Sequence, residues 1–465
     1  MSGGRDAGFT VVDEVRVDPT ARVYAEGWQS WSPTTWYSAG HTPHRPAEPW
    51  QHTMRFRPGA PLPAATESPG STGVVQGEGL VVVDPGGAAP VRWYGDPDAT
   101  TAVATIRVDR RGPEVVVSAD GPLLTGTADT TARALADFAT AFADRRGLGP
   151  PSEAPRAWCS WYRYFEQVGA RDVVENAAAL QERGLPVEVI QIDDGWSRGV
   201  GEWLQPTAGF PSLAALVDRL RASGHRVGIW LAPFLVGEDT DLARQHPDWL
   251  LGDAGRNWGQ QLRGLDLTHP SVRDYLATSV RGLAALGIDY FKLDFLYGGA
   301  IPGRRDDDGS SPVAAYRSGL RLLREAAGPG AYLVGCGAPI LPSVGLVDAM
   351  RVSPDTFHEG GEDGSSGLRG RLSLSARAWQ HGRWWANDPD CLVARPSYRL
   401  RHEWAETVTA FGGLRSCSDR VAELDEEGLA LTRRLLETRA PAGPFGDAVV
   451  ERGAEIAAGM NPGAT

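Results

Sequence analysis

The sequence predicts an α/β fold, a (β/α)8 TIM barrel preceded by an antiparallel β-sandwich, on three observations. Up to about residue 125 the chain carries short Val- and Thr-rich runs broken by Gly, Pro and Asp clusters, the pattern of antiparallel strands and turns. Beyond about residue 155 it changes to a repeating unit of amphipathic helix, glycine and continuous apolar strand, which a parallel sheet covered on both faces requires. That unit supplies eight candidate strands without the Gly-rich phosphate turn of a doubly wound sheet, so a closed barrel is favoured over an open one.

Length and composition agree with this. A chain of 465 residues accommodates one barrel and a companion domain. With 42% hydrophobic and 22% charged residues, a disordered or fibrous chain is excluded. The 46 basic residues against 58 acidic ones give a net charge of −12, the wrong sign for nonspecific nucleic-acid or anionic-membrane partners. The start, MSGGRDAGFTVVDEVRVD, has no apolar core of a signal peptide, and the best uncharged apolar run, VGIWLAPFLVG, is about half a membrane span. A soluble, cytoplasmic protein is expected. Its four scattered cysteines, with no CxxC, are expected to be reduced. The nine histidines form no HExxH, and RRDDDGSS lacks EF-hand spacing, so neither a metal nor a cofactor is expected.

Taken in order, TVVDEVRV, GLVVVD, TTAVATIRVD and EVVVS read as strands of the sandwich. A helix follows with Leu135, Phe138, Ala139 and Phe142 on one face, and GLGPPSEAP marks a linker near 147–155. The expected division is a sandwich domain over 1–150, a barrel over 151–440 and a short tail over 441–465. In the barrel, AWCSWY is the first strand. RDVVENAAALQERG leads into LPVEVIQIDD, and SLAALVDRLRASG, with Ser212 as N-cap, leads into HRVGIWLAP. PSVRDYLATSVRGLAALG precedes IDYFKLDF, and SPVAAYRSGLRLLREAAGPG precedes AYLVGCGA. DAMRVSPD, RWWANDPD and GGLRSCSD complete the eight, and DEEGLALTRRLLET is a last helix. The remaining tail has little apolar content.

Sites on such barrels lie at the C-terminal strand ends. There the sequence places Trp161 and Tyr162; Asp193, Asp194 and Trp196; Trp230; Lys292 and Asp294; Cys336; Arg351 and Asp355; Trp385, Asn387, Asp388 and Asp390; and Cys417 and Asp419. Carboxylates with aromatic platforms, and no phosphate cradle or Ser/His pair, are what glycosidic bond cleavage needs: a nucleophile or base, an acid, and a surface for the apolar face of a sugar. The 16 Trp residues, more than either Phe or Tyr, fit that need. All but one of the 46 basic residues are Arg, and the exception is Lys292. It sits at i and i+2 with Asp294, so both side chains share a face and the ammonium favours an ionised carboxylate. Spacing alone leaves other readings open. Lys292 and Asp294 could be a buried ion pair, Asp193-Asp194 a turn or helix cap, Asp355 a capping residue, Cys336 a small packing residue, and the tryptophans core plugs.

The strings WCSWYRYF, VIQIDDGW, GIWLAPF, FKLDFLYGGAIPG, VGCGAPILPSVGLVDAMRVSPDT and WWANDPDCL occur in this order. Together they resemble family-36 glycoside hydrolases, the α-galactosidases or melibiases, strongly over roughly 155–420. GWQSWSP in the β-rich region resembles that family's N-terminal sandwich. The resemblance implies that Asp294, closing K-x-D, is the nucleophile and Lys292 a sugar-binding residue. It further implies that Asp355, closing R-x-S-P-D, is the general acid/base and Arg351 lies in the glycone site. Asp193 and Asp194 would bind hydroxyls at the far side of the galactose, Trp230 would line the pocket, Cys336 would lie by the sugar, and Trp31 or Trp28 would close the pocket from the N-terminal domain. Trp161 joins the substrate-binding set. Family members usually end in a C-terminal β-domain, for which this tail is short.

The implied activity is retaining, exo-acting hydrolysis of terminal α-galactosides through a covalent galactosyl-enzyme. Its small-molecule carbohydrate substrate is the one expected partner, and the oligomeric state is left open. Two relatives of that chemistry stay open, galactosyl transfer and cleavage of α-N-acetylgalactosaminides. More remote are a sugar-binding protein that has lost catalysis, although both carboxylates are present, and a phosphosugar isomerase, which would want a phosphate loop after strands seven and eight.

Overall fold

The computed structural model describes residues 8–43, 45–46, 48–60 and 71–460. The first seven residues of the N-terminal segment and the last five of the tail lie outside them.

Two antiparallel sheets form the N-terminal domain. One has four strands in the order Thr10–Arg16, Glu114–Ala119, Thr105–Arg111, Ser71–Glu78; the other has five, Thr35–Ser38, Arg22–Ala25, Leu80–Asp84, Val91–Gly95, Leu124–Ala128. The strand Leu80–Asp84 explains its own unbroken apolar sequence. Val81 and Val83 point between the sheets with Val23, Val75, Val108 and Val117, while Leu80 and Val82 point the other way. That outer face is covered by the helix Thr131–Arg145, which buries Leu135, Phe138, Ala139 and Phe142 as its spacing predicts. Phe138 and Phe142 meet Trp384 of the barrel at 6.0 and 5.5 Å, so this helix is the packing layer between the domains.

The eight parallel strands of the second domain are Arg156–Cys159, Val189–Ile192, Arg226–Leu231, Tyr290–Leu293, Tyr332–Gly335, Ala349–Arg351, Ala386–Asp388 and Arg415–Cys417. Neighbours in sequence are neighbours in the sheet, and the first pairs with the eighth through Ala157 and Ser416. The seventh and eighth join where the Asn387 carbonyl accepts from Leu414 N at 2.9 Å and where Leu392 bridges Cys417. Alternation sends Tyr290 and Lys292 inward and Phe291 and Leu293 outward against the helices. Ser212 caps its helix as expected, accepting from Ala215 N at 3.2 Å.

Three elements depart from the sequence reading. A three-stranded antiparallel sheet, Leu235–Gly237, Gln260–Leu265, Leu250–Asn257, rises between the third and fourth barrel strands. A helix, Pro49–Arg55, leaves the N-terminal domain and packs on its strand Leu250–Asn257. The tail holds a helix, Asp447–Gly459, against the helix Arg371–Ala376 and the strand Thr35–Ser38. Its contact is made by small residues: a Cβ at Gly453 would stand 2.3 Å from the Ser375 carbonyl, so the face lacks the apolar bulk that sequence patterns register. Glu451 ties it to the N-terminal domain, accepting from Ala132 N at 2.8 Å and from Thr131 Oγ1 at 2.6 Å.

A fully buried ion pair fastens the domains together. Arg377 donates to Glu26 at 2.7 Å, to the Ser30 and Val352 carbonyls at 2.9 Å each, and to the Gln29 carbonyl at 3.1 Å. Among the described residues no helix is long and apolar enough to cross a membrane.

Candidate active site

A cavity of about 460 Å³ opens at the C-terminal ends of the barrel strands. Its floor carries Asp193, Asp194, Trp230, Lys292, Asp294 and Asp355, and Trp31, Trp161, Trp258 and Phe295 stand around it.

The second strand ends in Asp193 and Asp194, and the turn beyond them needs Gly195, whose φ is +107° and whose Cβ would lie 2.6 Å from the Glu166 carbonyl. Asp193 accepts from Gln191 Nε2 at 2.5 Å and, through its other oxygen, from Asp194 N at 3.0 Å. Asp194 accepts from Gly195 N and Trp258 Nε1, each at 2.8 Å. Burial, and then the Asp193 charge, push the Asp194 carboxyl up to about 7. The turn-forming and cavity-lining readings of this pair therefore hold together.

The third and fourth strands lie in register with Trp230 beside Lys292. The Lys292 ammonium stands 3.0 Å from Asp193 Oδ2 and 3.8 Å from Asp294 Oδ2, so its nearer partner is at the end of the second strand, across the third. Burial works against its charge, yet Asp193 and Asp294 outweigh it and hold the proton well above the usual lysine range. Asp294 also accepts from Trp230 Nε1 at 3.0 Å and from Phe295 N at 2.8 Å. Phe295 is in the left-handed region at φ +49° and turns the chain sharply, setting its ring 4.9 Å from both Trp31 and Trp258.

Asp355 faces the cavity with its side chain a quarter exposed. Arg351 Nη1 donates to it at 2.8 Å, and His358 Nδ1 lies 4.0 Å away. Burial favours the protonated acid, but Arg351, His358, Lys292 and Arg369 outweigh it and hold the Asp355 carboxyl below the usual range.

Three residues of the expected sugar-binding set are not on the cavity lining. Arg351 is 2% exposed and lies behind Asp355, its charge shared with Asp390 at 2.7 Å and Asp388 at 3.5 Å. Cys336 is fully buried off the cavity lining, and burial, then the Asp294 charge, raise its thiol far above the ordinary value. Trp28 is a core residue, and Trp31 is the N-terminal-domain tryptophan that reaches the cavity. Its loop is docked by Ser30 N on the Ala338 carbonyl at 3.1 Å and by Ile340 N on the Trp28 carbonyl at 3.0 Å. The indole lies over Gly337, where a Cβ would approach it to 2.9 Å.

Of the 16 tryptophans, Trp31, Trp50, Trp161, Trp230 and Trp258 line the cavity, whereas Trp158, Trp196, Trp203, Trp379, Trp385 and Trp404 are fully buried plugs. Trp196 supports the site from below, donating to the Trp230 carbonyl at 2.9 Å. The strand-end reading missed Trp50, Trp258, His358 and Arg369, all on excursions outside the barrel strands. A Trp within the polar turn RNWGQ was the available signal for Trp258.

Comparison with known proteins accords with this geometry. The melibiase family pattern matches residues 157–305. The chain is 33% identical over 146 residues to the bifunctional α-galactosidase/sucrose kinase AgaSK of Mediterraneibacter gnavus, and 34% over 135 residues to an α-galactosidase of Escherichia coli. Those alignments take in 28% and 26% of this chain but only 15% and 18% of these longer relatives. Similarity to the solved α-galactosidase TtGalA of Thermus thermophilus, in complex with stachyose, runs much further: 30% identity over 93% of this chain and 94% of that one, with a TM-score of 0.74. AgaA of Geobacillus stearothermophilus shares the fold at a TM-score of 0.60 and 14% identity, over 92% of this chain and 62% of that one. A match to TtGalA that runs through both domains, together with the melibiase pattern across the strands bearing Asp193, Asp194, Lys292 and Asp294, makes this chain a member of the family-36 glycoside hydrolases, the melibiases.

Proposed function

We propose that this protein is a retaining, exo-acting α-galactosidase. The observation that carries the reading is the bracing of Asp294: its side chain is paired with the Lys292 ammonium, takes a hydrogen bond from Trp230, and faces the same cavity as Asp355. In the reaction Asp294 attacks the anomeric carbon while Asp355 gives a proton to the leaving oxygen, and a galactosyl ester forms on Asp294. Water then attacks the ester, Asp355 takes its proton, and galactose leaves with its configuration retained. Asp355, held below the usual carboxylate range, is ready as the base of that second step. For the first it must be protonated, and substrate filling the cavity favours this by removing water from a carboxyl whose burial already opposes its charge.

Asp193, Asp194 and Lys292 have the donor and acceptor set for sugar hydroxyls, and Trp31, Trp161, Trp230 and Trp258 offer ring faces for a pyranose. Solved relatives point to the substrate class: TtGalA has been described in complex with p-nitrophenyl α-D-galactopyranoside and stachyose, and a variant of AgaA with raffinose. The cytoplasmic setting is supported by four buried cysteines, none of them bridged. A panel of aryl α- and β-glycosides tests the reading. Hydrolysis of the α-galactoside well ahead of the α-glucoside, the β-galactoside and the α-N-acetylgalactosaminide is the expected result; preference for any other member contradicts it.

A further inference from the structure

We propose that Asp390, which does not line the cavity, is a positioning residue for Asp355 and holds it from two sides, through Arg351 and through Thr356. The inference rests on the acid/base role of Asp355. Asp390 is 1% exposed and sits in the run NDPD after the seventh barrel strand. Its backbone is at φ +82°, a region that side chains other than glycine, asparagine and aspartate rarely enter. That conformation turns the carboxylate back under the loop carrying Asp355. Oδ1 accepts from Arg351 Nη2 and from Cys391 N, each at 2.7 Å. Oδ2 accepts from Thr356 N at 2.8 Å, from Thr356 Oγ1 at 2.9 Å and from the Tyr162 hydroxyl.

Five donors on one buried carboxylate bring it full satisfaction, and three of the five bear on Asp355. Thr356 follows Asp355 directly, so fixing its N–H and hydroxyl fixes the backbone from which Asp355 projects. Arg351 is the group bonded to Asp355 itself, and its guanidinium is divided among Asp355 at 2.8 Å, Asp390 at 2.7 Å and Asp388 at 3.5 Å. The charge drawn off by Asp390 moderates the hold of Arg351 on the Asp355 carboxylate, which keeps the protonated acid within reach. Asp390 is faced by Arg351, Asp355, Asp388, Tyr162 and Tyr398; Asp355 is faced by Arg351, His358, Lys292, Arg369, Tyr162 and Cys336. With Asp390 neutral, Arg351 turns more fully to Asp355 and a negative neighbour disappears. Both changes lower the proton affinity of Asp355.

The test is a cycle of Asp390→Asn, Asp355→Ala and the double variant, assayed on galactosides of good and poor leaving groups across pH. Asp390→Asn is expected to move the basic limb of kcat about one pH unit lower and to cost roughly tenfold on poor leaving groups, with a smaller loss on activated ones. In the Asp355→Ala background the same change is expected to do nothing further. Thr356→Val, which removes one bond to Oδ2 and no charge, is expected to give a smaller loss in the same leaving-group pattern, and it decides the matter if Asp390→Asn fails to fold. Equal losses on every leaving group, repeated in the Asp355→Ala background, would overturn the positioning role and leave a purely structural one. An Asp355→Ala enzyme indifferent to the leaving group would instead overturn the acid/base reading, and this inference with it.

Discussion

Lys292 holds Asp193 and Asp294 on a single ammonium, at 3.0 and 3.8 Å, across two barrel strands. The one lysine in the chain thus sits where three compact donors must reach separate oxygens, and the planar fork of an arginine cannot do the same in that space. Lys292→Arg is expected to fold, since charge is kept, and to lose at least about a hundredfold in kcat/KM, roughly 3 kcal/mol of transition-state stabilisation. Kinetics beside a melting curve check it, and near-normal kcat/KM would reduce the lone lysine to an accident of composition.

Asp194, pushed up to about 7, gives substrate binding a pH dependence. A carboxylate grips sugar hydroxyls better than its protonated form, so KM for an α-galactoside is expected to fall as pH rises from about 6 to 8. Asp194→Asn removes that slope and raises KM about ten- to a hundredfold, and it narrows the gap between galactoside and glucoside. The sign for stability is opposite. A folded-state value above that of the unfolded chain favours the native protein at low pH, and this contribution is lost as pH rises through about 7. Denaturant titrations at several pH values separate the two effects.

Removing the proposed acid should distinguish leaving groups. Asp355→Ala is expected to lose far more activity on substrates with poor leaving groups than on an activated aryl galactoside, because only the former need a proton to depart. Azide is expected to speed turnover of the activated substrate in this variant. An equal loss on every substrate contradicts the assignment.

Arg377 and Glu26, both fully buried, carry the junction that presents Trp31. Arg377→Ala removes the ion-pair partner of buried Glu26, so a loss of about 3–5 kcal/mol in unfolding free energy is expected by denaturant titration. Arg377→Met with Glu26→Leu is expected to recover much of the stability but not the activity, since the Ser30 and Val352 carbonyls of the junction lose the Arg377 donor.

The barrel was legible because its strands are unbroken apolar runs separated by helices with a clear buried stripe, and a period of two was enough to set Lys292 and Asp294 inward. Depth was not legible. Arg351 and Cys336 share strand ends with cavity residues, yet side-chain length and the next layer of carboxylates decide what reaches open space. Trp258 and Trp50 escaped because they ride on a small sheet and a short helix whose placement depends on each other, and local periodicity carries no trace of that contact. The helix Asp447–Gly459 escaped because its buried face is a single valine, Val450, with Gly453, Ala454 and Ala457. Trp31 could be told from Trp28 only by the docking of their loop on Ala338 and Ile340.

The stereochemistry of the first product tests the central claim most directly. Proton NMR during early turnover of an aryl α-galactoside, before mutarotation, is predicted to show α-galactose, because attack by Asp294 and then by water inverts the anomeric carbon twice. Initial release of β-galactose would mean a single displacement and would contradict the covalent role of Asp294.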